Sequence, residues 1–310
     1  MSKTPEGASQ KIEQALGDIE STLTDWESQV REANAKIEQR AGRPLWQAIA
    51  VGMLLGGLFV GALLFEAAIF AVFIAILVGL AVTELVGALR EKGSRLSRTW
   101  MVILATAIVA ASFFLGAAGM LWGLLIAIVA VALARLGDAA FNPEARPTIL
   151  RDIQGGVFVV VYLPFLASFA VITTELALGQ LWIFVAVVIV VVVDTAAYAT
   201  GLAVGKHKLA PKISPAKTWE GFAGAAIAAA ISGGLLGHYL LGLGWWSGII
   251  LGLVLLGSAT MGDLVESLIK RDLGIKDMSS LLPGHGGFLD RLDSALPSMA
   301  VAYIAYQLLV

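Results

Sequence analysis

The sequence predicts an all-α polytopic membrane protein of about nine transmembrane helices, preceded by an amphipathic helix of coiled-coil type on the cytosolic side. Three observations carry this. Hydrophobic residues fill 58% of the 310 positions, with a mean hydropathy of +0.85. Apolar runs near the roughly 20 residues a helix needs to cross a bilayer recur between short polar connections. All 21 Lys and Arg fall in alternate connections.

The chain opens on a polar segment, residues 1–43, in which Ile12, Leu16, Ile19, Leu23, Trp26, Val30, Ala33 and Ile37 recur at spacings alternating between four and three. This heptad seam, flanked by Glu, Lys, Asp and Arg, predicts a helix that either pairs with a second copy, giving a homodimer, or lies on its own bundle or the membrane surface. It carries no chemistry. A cleavable signal peptide would need a short basic stretch and an apolar core in its place.

Apolar segments follow near 45–65, 66–88, 99–116, 118–135, 153–174, 178–203, 219–242, 244–268 and 292–310. The first four, within 44–135, read as scaffold, with Gly56, Gly57 and Gly61 letting helices approach closely. Glu84, near the end of its span, is expected to reach the interface. Residues 136–310 form a second transmembrane region, which holds the chemistry. At its start, Asn142-Pro143 and Arg146-Pro147 predict an ordered loop between Gly137 and Asp152 rather than continuous helix. Arg146 and Arg151 there serve as topological determinants or reach lipid headgroups.

The basic connections are the N-terminal segment, 90–98, 135–151, 206–217 and 270–291. By the positive-inside bias these are cytoplasmic, and an odd number of spans leaves the N-terminus inside and the C-terminus outside. The expected location is a bacterial inner membrane. Zero cysteines exclude disulfides, thiolate catalysis and Cys-ligated zinc. The net charge of −2 says little about partners, and no nucleic acid is expected among them.

From Gly262 to Asp293 the chain carries ten charged side chains and His285, against 14% charged residues overall. Ionisable groups persist at a membrane where they bind one another, a metal, water or a substrate, because each is costly in hydrocarbon. Asp263 and Glu266 share a helical face, with Lys270 four residues beyond Glu266. Asp290 and Asp293 share another at the start of the last span. If antiparallel helices bring the pairs together, the four carboxylates repel unless a cation sits among them. Oxygen-only ligands imply a hard ion such as Mg²⁺. Pairing with Lys270, Arg271 or Arg291 accounts for one or two of these acids, not all. Between the helices, Leu281–Gly287 (LLPGHGG) offers amides suited to phosphate oxygens, or simply a turn, with His285 as a donor or general acid.

Asp194 lies inside the run FVAVVIVVVVDTAAYATG, well below the cytoplasmic surface. It is either an acid hydrogen-bonded within the bundle or, beside Thr195, Tyr198 and Thr200, part of a wet functional cavity. Further on, Ser214 suits an N-cap and Pro215 a first helical turn, so a helix is expected to start there. The stretch Ser214–Gly221 then reads either as a capped helix with an interfacial Trp219 or as an anion site built on exposed amides and Lys217.

Ser267-Leu-Ile-Lys270-Arg271, Lys276-Asp277, Pro283-Gly-His285-Gly-Gly and Asp290-Arg291-Leu-Asp293 resemble the C-terminal signature of phosphatidate cytidylyltransferases, or CDP-diacylglycerol synthases. Asp194, Ser214-Pro215…Lys217-Thr218-Trp219-Glu220-Gly221 and Gly262-Asp263 are similar to the family's other recurrent features, so the resemblance covers Asp194 to the end. Ala216 stands where the family frequently has a basic residue, and the heptad segment is not part of the signature. The resemblance implies an integral-membrane enzyme that joins CTP and phosphatidic acid into CDP-diacylglycerol and pyrophosphate, with Mg²⁺ and room for a monovalent cation such as K⁺. It implies Asp263, Glu266, Asp290, Asp293 and Asp194 as metal ligands, and Lys217, Lys270, Arg271, Lys276 and Arg291 as phosphate partners. His285 would lie near the leaving pyrophosphate, and Ser214, Thr218, Gly286 and Gly287 would contact substrate.

Three other readings compete. Another CTP-dependent lipid enzyme, a lipid kinase or an ether-lipid cytidylyltransferase, would share this chemistry. An ion-coupled transporter suits Asp194, but transporters usually show paired interrupted helices and a midplane site. A scaffold assembled through the heptads leaves the acidic and Gly-Gly motifs idle.

Overall fold

The structure, a computed structural model, describes residues 45–275, 278, 279 and 287–310, with side chains from residue 52 onward. The heptad segment and Lys276, His285 and Gly286 lie outside the described residues. The chain divides into two compact units, Met1–Gly56 and Gly57–Val310. Of the first, the described part is the opening of helix α1 (Leu45–Phe65).

The second unit is helical apart from one small hairpin. Its helices are α2 (Ala67–Glu91), α3 (Arg98–Phe141), α4 (Ile149–Val160), α5 (Leu166–Thr174), α6 (Gly179–Val204), α7 (Trp219–Tyr239), α8 (Trp245–Asp272), the single turn α9 (Leu289–Leu292) and α10 (Ala295–Leu309). Among the described residues, six helical stretches are long and apolar enough to cross a membrane: Ala67–Glu91, Arg98–Phe141, Pro143–Thr174, Gly179–Val204, Trp219–Tyr239 and Trp245–Asp272. Glu66, with extended backbone, separates α1 from α2.

At 44 residues, α3 is the longest of these, and it is not straight. Gly116 has φ 61° and ψ −145°, a conformation open to glycine and costly for other residues. Beyond it the helix returns along itself. A Cβ on Gly119 would lie 2.0 Å from the Ala111 carbonyl oxygen, and one on Gly123 would lie 3.4 Å from the Ile108 Cα. Farther down, Arg135 donates to the Arg95 carbonyl at 3.3 Å and forms ion pairs with Asp138 at 2.8 Å and the fully buried Asp152 at 3.2 Å.

The connection expected as a loop between Gly137 and Asp152 is mostly helical. α3 runs on to Phe141, and a 3₁₀ turn over Pro143–Thr148 leads into α4. Proline at the first position of that turn has no amide to leave unsatisfied, which is why Asn142-Pro143 starts a helical turn rather than excluding one. A π turn at Val161–Phe165, containing Pro164, joins α4 to α5.

Helices α6, α7 and α8 pack through small residues. Cβ atoms on Gly233 and Gly252 would fall 2.5 Å from the Gly248 oxygen and 2.1 Å from the Ala229 oxygen. On the other side of α7, a Cβ on Gly221 would meet the Ala197 oxygen of α6 at 2.7 Å. In hydrocarbon, where lipid tails are as apolar as leucine, such close backbone approach is the main source of helix–helix attraction.

Candidate active site

Between α6 and α7 the chain forms an antiparallel hairpin, β1 (Lys208–Ala210) with β2 (Ser214–Thr218), pairing Lys208 with Thr218 and Ala210 with Ser214. The expected helix start at Ser214 is therefore corrected: Ser214 and Pro215 are extended, and α7 begins at Trp219. Thr218 is the N-cap, its hydroxyl accepting from the Gly221 amide at 3.1 Å. Proline suits the first residues of an edge strand as well as a first helical turn, so the dipeptide alone did not decide. Glu220 accepts from the Lys206 and His207 amides and meets the His207 ring at 2.6 Å, closing the base of the hairpin. Arg271, at the end of α8, donates to the Ile213 carbonyl at 3.2 Å, which pins the tip.

The hairpin delivers Lys217 to α8, where its Nζ lies 2.6 Å from Asp263. Ser267, one turn on, donates to the other Asp263 oxygen at 3.3 Å. Asp194 of α6 stands near Ser294 and within electrostatic reach of Lys217 and Asp263. Asp293 is close enough to interact with Asp263, Asp194 and Lys270. Gly262 permits the approach: a Cβ there would sit 2.1 Å from the Asp293 carbonyl oxygen. Among the described residues, the carboxylates of Asp194, Asp263 and Asp293 thus share one neighbourhood with one directly paired lysine, Lys217.

A second group adjoins it. Lys270 lies 2.5 Å from the buried Glu266 and 3.1 Å from Asp290. Asp290 also accepts from the Gly287 amide at 2.7 Å and the Met278 amide at 3.4 Å. Burial pushes the Asp290 carboxyl up, but contacts with Glu266, the Gly287 amide and Lys270 outweigh it and hold it below the usual carboxylate range. Arg291 stands on α9 beside it.

Glu84, expected at the interface, is packed inside the protein. It is 5% exposed and accepts from the Ser279 hydroxyl at 2.6 Å and from the Phe288 and Leu289 amides at 2.9 and 3.0 Å. The rule that singled out Asp194, an isolated acid in an apolar run, applied equally to Glu84. Tyr162 was missed as well. It sits in the π turn, buried beside Asp293, Glu266 and Asp263, with its hydroxyl 3.5 Å from the Gly262 carbonyl. A tyrosine inside an apolar segment gives no local sign of such neighbours.

The donor set around Asp263 is oxygen only, which suits a hard cation. Among the described residues, no three acidic or histidine side chains are grouped closely enough to hold one ion as they stand, and Lys217 and Lys270 lie against Asp263, Glu266 and Asp290. The charge balance around Asp194, Asp263 and Asp293 leaves room for further positive charge.

Residues 46–309 match the model of the cytidylyltransferase family. The chain is 39% identical over 286 residues to a phosphatidate cytidylyltransferase of Mycobacterium leprae, covering 89% of this chain and 92% of that protein. It is 37% identical over 277 residues to one of Mycobacterium bovis, covering 87% and 90%. A phosphatidate cytidylyltransferase of Brucella suis is 49% identical over 112 residues, 36% of this chain and 41% of that protein. The chain belongs to the cytidylyltransferase family, among its phosphatidate cytidylyltransferases.

Proposed function

We propose that this protein transfers CMP from CTP to phosphatidic acid, giving CDP-diacylglycerol and pyrophosphate for phospholipid synthesis. The observation that carries the reading is the meeting of Lys217, Asp194, Asp263 and Asp293 in one neighbourhood. The family to which the chain belongs supplies the substrate class.

A phosphate oxygen of phosphatidic acid attacks the α-phosphorus of CTP. The new P–O bond forms as the bond from the α-phosphorus to the bridging oxygen breaks, and pyrophosphate leaves with that electron pair. A phosphomonoester with a second pKa near 6 is already anionic at neutral pH, so no activated serine and no general base is needed. The obstacle is repulsion between two polyanions. Lys217 and Lys270, released from their carboxylates, neutralise phosphate oxygens, with Arg291 and Lys276 as further partners. Arg271 acts one step away, by pinning the hairpin that aims Lys217. His285, Gly286 and Gly287 grip the departing pyrophosphate, while Ser214 and Thr218 flank the nucleotide.

Asp263 and Asp293, with Asp194 and with Asp290 and Glu266 behind them, would hold Mg²⁺, with K⁺ as a second ion. Bound there, the cation offsets charge on the phosphates.

The proposed topology has about nine spans, since α1, the two halves of α3 and α10 add to the remaining long stretches. The N-terminus and the site face the cytosol of a bacterial inner membrane, and the C-terminus lies outside, as the alternation of basic connections supports. Residues 1–43 pair as heptads with a second copy, 44–135 serve as scaffold and 136–310 as the catalytic region.

The test uses purified protein, CTP labelled at the α-phosphate and phosphatidic acid, with and without EDTA. Label entering lipid only when divalent metal is present is the expected result. Label remaining in water would point to a kinase or a transporter and overturn the reading.

A further inference from the structure

The segment Gly205–Thr218, which links α6 to α7 through the hairpin, carries four lysines and neither aspartate nor glutamate. Lys217 is taken up at Asp263. Lys206, Lys208 and Lys212 are exposed, and among the described residues none of the three forms an ion pair. Glu220, the acid at the base of the hairpin, is engaged by the Lys206 and His207 amides and by the His207 ring.

The surroundings of these lysines change along the hairpin. At the base, Lys206 follows Leu202 and Val204 of α6, which are 55% and 57% exposed, and the Trp219 amide donates to the His207 carbonyl at 2.9 Å. Trp219 itself is 56% exposed. Exposed aliphatic side chains ending at a tryptophan mark the level where the apolar face of a membrane helix gives way to headgroups. Lys206 stands at that level, and so does Lys208, paired with Thr218 immediately before Trp219. The tip runs away from it. Lys217 meets Asp263 while Ile213 meets Arg271, eight residues and about 12 Å farther along α8. Lys212, next to Ile213, thus stands beyond the base by more than the Debye length of about 8 Å at physiological salt.

A two-stranded hairpin is marginally stable by itself. Here β2 lies against α6, α7 and α8, and β1 is joined to it as its one sheet partner. The strand that carries Lys217 is therefore steadied by whatever holds β1. Phosphate headgroups of net negative charge supply the counter-charge that Lys206 and Lys208 lack in the protein, at the level where the two lysines stand.

We propose that the base of the hairpin docks through Lys206 and Lys208 on anionic phospholipid headgroups of the adjoining leaflet, and that this contact steadies the strand carrying Lys217. The partner is the bulk anionic lipid, not the phosphatidic acid being consumed. The docking stands on exposure, charge and position; its effect on turnover rests on the proposed function.

The test places the full-length protein in nanodiscs of phosphatidylcholine alone or of equal parts phosphatidylcholine and phosphatidylglycerol. Amide hydrogen exchange over residues 206–218 should be at least about threefold slower in the anionic discs, and the difference should vanish at high salt. Lys206→Gln/Lys208→Gln should exchange alike in both discs, whereas Lys206→Arg/Lys208→Arg and Lys212→Gln should keep the wild-type difference. In steady-state kinetics at a fixed fraction of phosphatidic acid, the glutamine pair should raise the KM for CTP about threefold over wild type in anionic discs and match wild type in neutral ones. Lysines that attracted CTP directly would raise that KM in both discs. That result overturns the docking, as does exchange indifferent to lipid charge, or a Lys212→Gln variant that loses the difference as fully as the pair. If the wild-type protein turns over no CTP, the proposed function fails, and the exchange comparison still decides the docking.

Discussion

Lys217 and Asp263 form the closest opposite-charge contact between the hairpin and α8, and each loses its partner if the other is replaced. In the proposed reaction the two act differently: the lysine turns to phosphate, the aspartate to the cation. Asp293→Asn and Asp263→Asn are each expected to lower turnover at least about a hundredfold, the scale of one strong transition-state contact, without changing the thermal midpoint by more than a few degrees. Lys217→Ala should chiefly raise the KM for CTP. Near-normal kinetics in both aspartate variants would remove them from the metal site. The acids themselves were legible in the sequence, because Asp263, Glu266, Asp290 and Asp293 recur at helical spacing in an otherwise apolar chain. Their division of labour was not. The spacing that puts Glu266 and Lys270 on one face says nothing of Lys270 bridging on to Asp290.

At the scale of elements, the glycines set the geometry of the charged ends. α7 and α8 meet where Gly233, Gly248 and Gly252 let backbone touch backbone, and this contact helps fix where Asp263 stands relative to Lys217. Gly252→Ala is expected to destabilise the protein by about 2 kcal/mol or more, since the added methyl meets a carbonyl oxygen and not a flexible side chain. Gly257→Ala on the same helix, with nothing within 4 Å of the added carbon, is the matched control and should be neutral or mildly stabilising. Thermal unfolding in detergent compares the two, and equal midpoints would show that the approach is slack. Small-residue packing was readable as a tendency, but not which glycine faces which helix. The hairpin β1–β2 was not readable at all. Its strands are three and five residues long, too short for a period-two pattern, and Ser-Pro mimics a helix start.

For the whole molecule, the apolar runs gave the helices and the basic residues gave their alternation, and the break at Gly116 decides whether the two agree. A straight helix of 44 residues would be about 66 Å long, more than twice the roughly 30 Å hydrocarbon core. Folded back at Gly116, it has two arms each of a length suited to one crossing, and their far ends meet where Arg135 reaches Arg95. The proposed topology then puts both ends on the basic side, as the positive-inside bias requires. The absence of cysteines makes the chain a clean background for single-cysteine labelling. In sealed, right-side-out vesicles, a membrane-impermeant maleimide should leave Lys92→Cys and Lys212→Cys unmodified until the membrane is opened. Ala117→Cys and Glu175→Cys, at the opposite ends of their helices, should react from outside. Protection of Ala117→Cys together with Lys92→Cys would put the Gly116 turn on the same side as the site. The charge alternation would then no longer describe the fold.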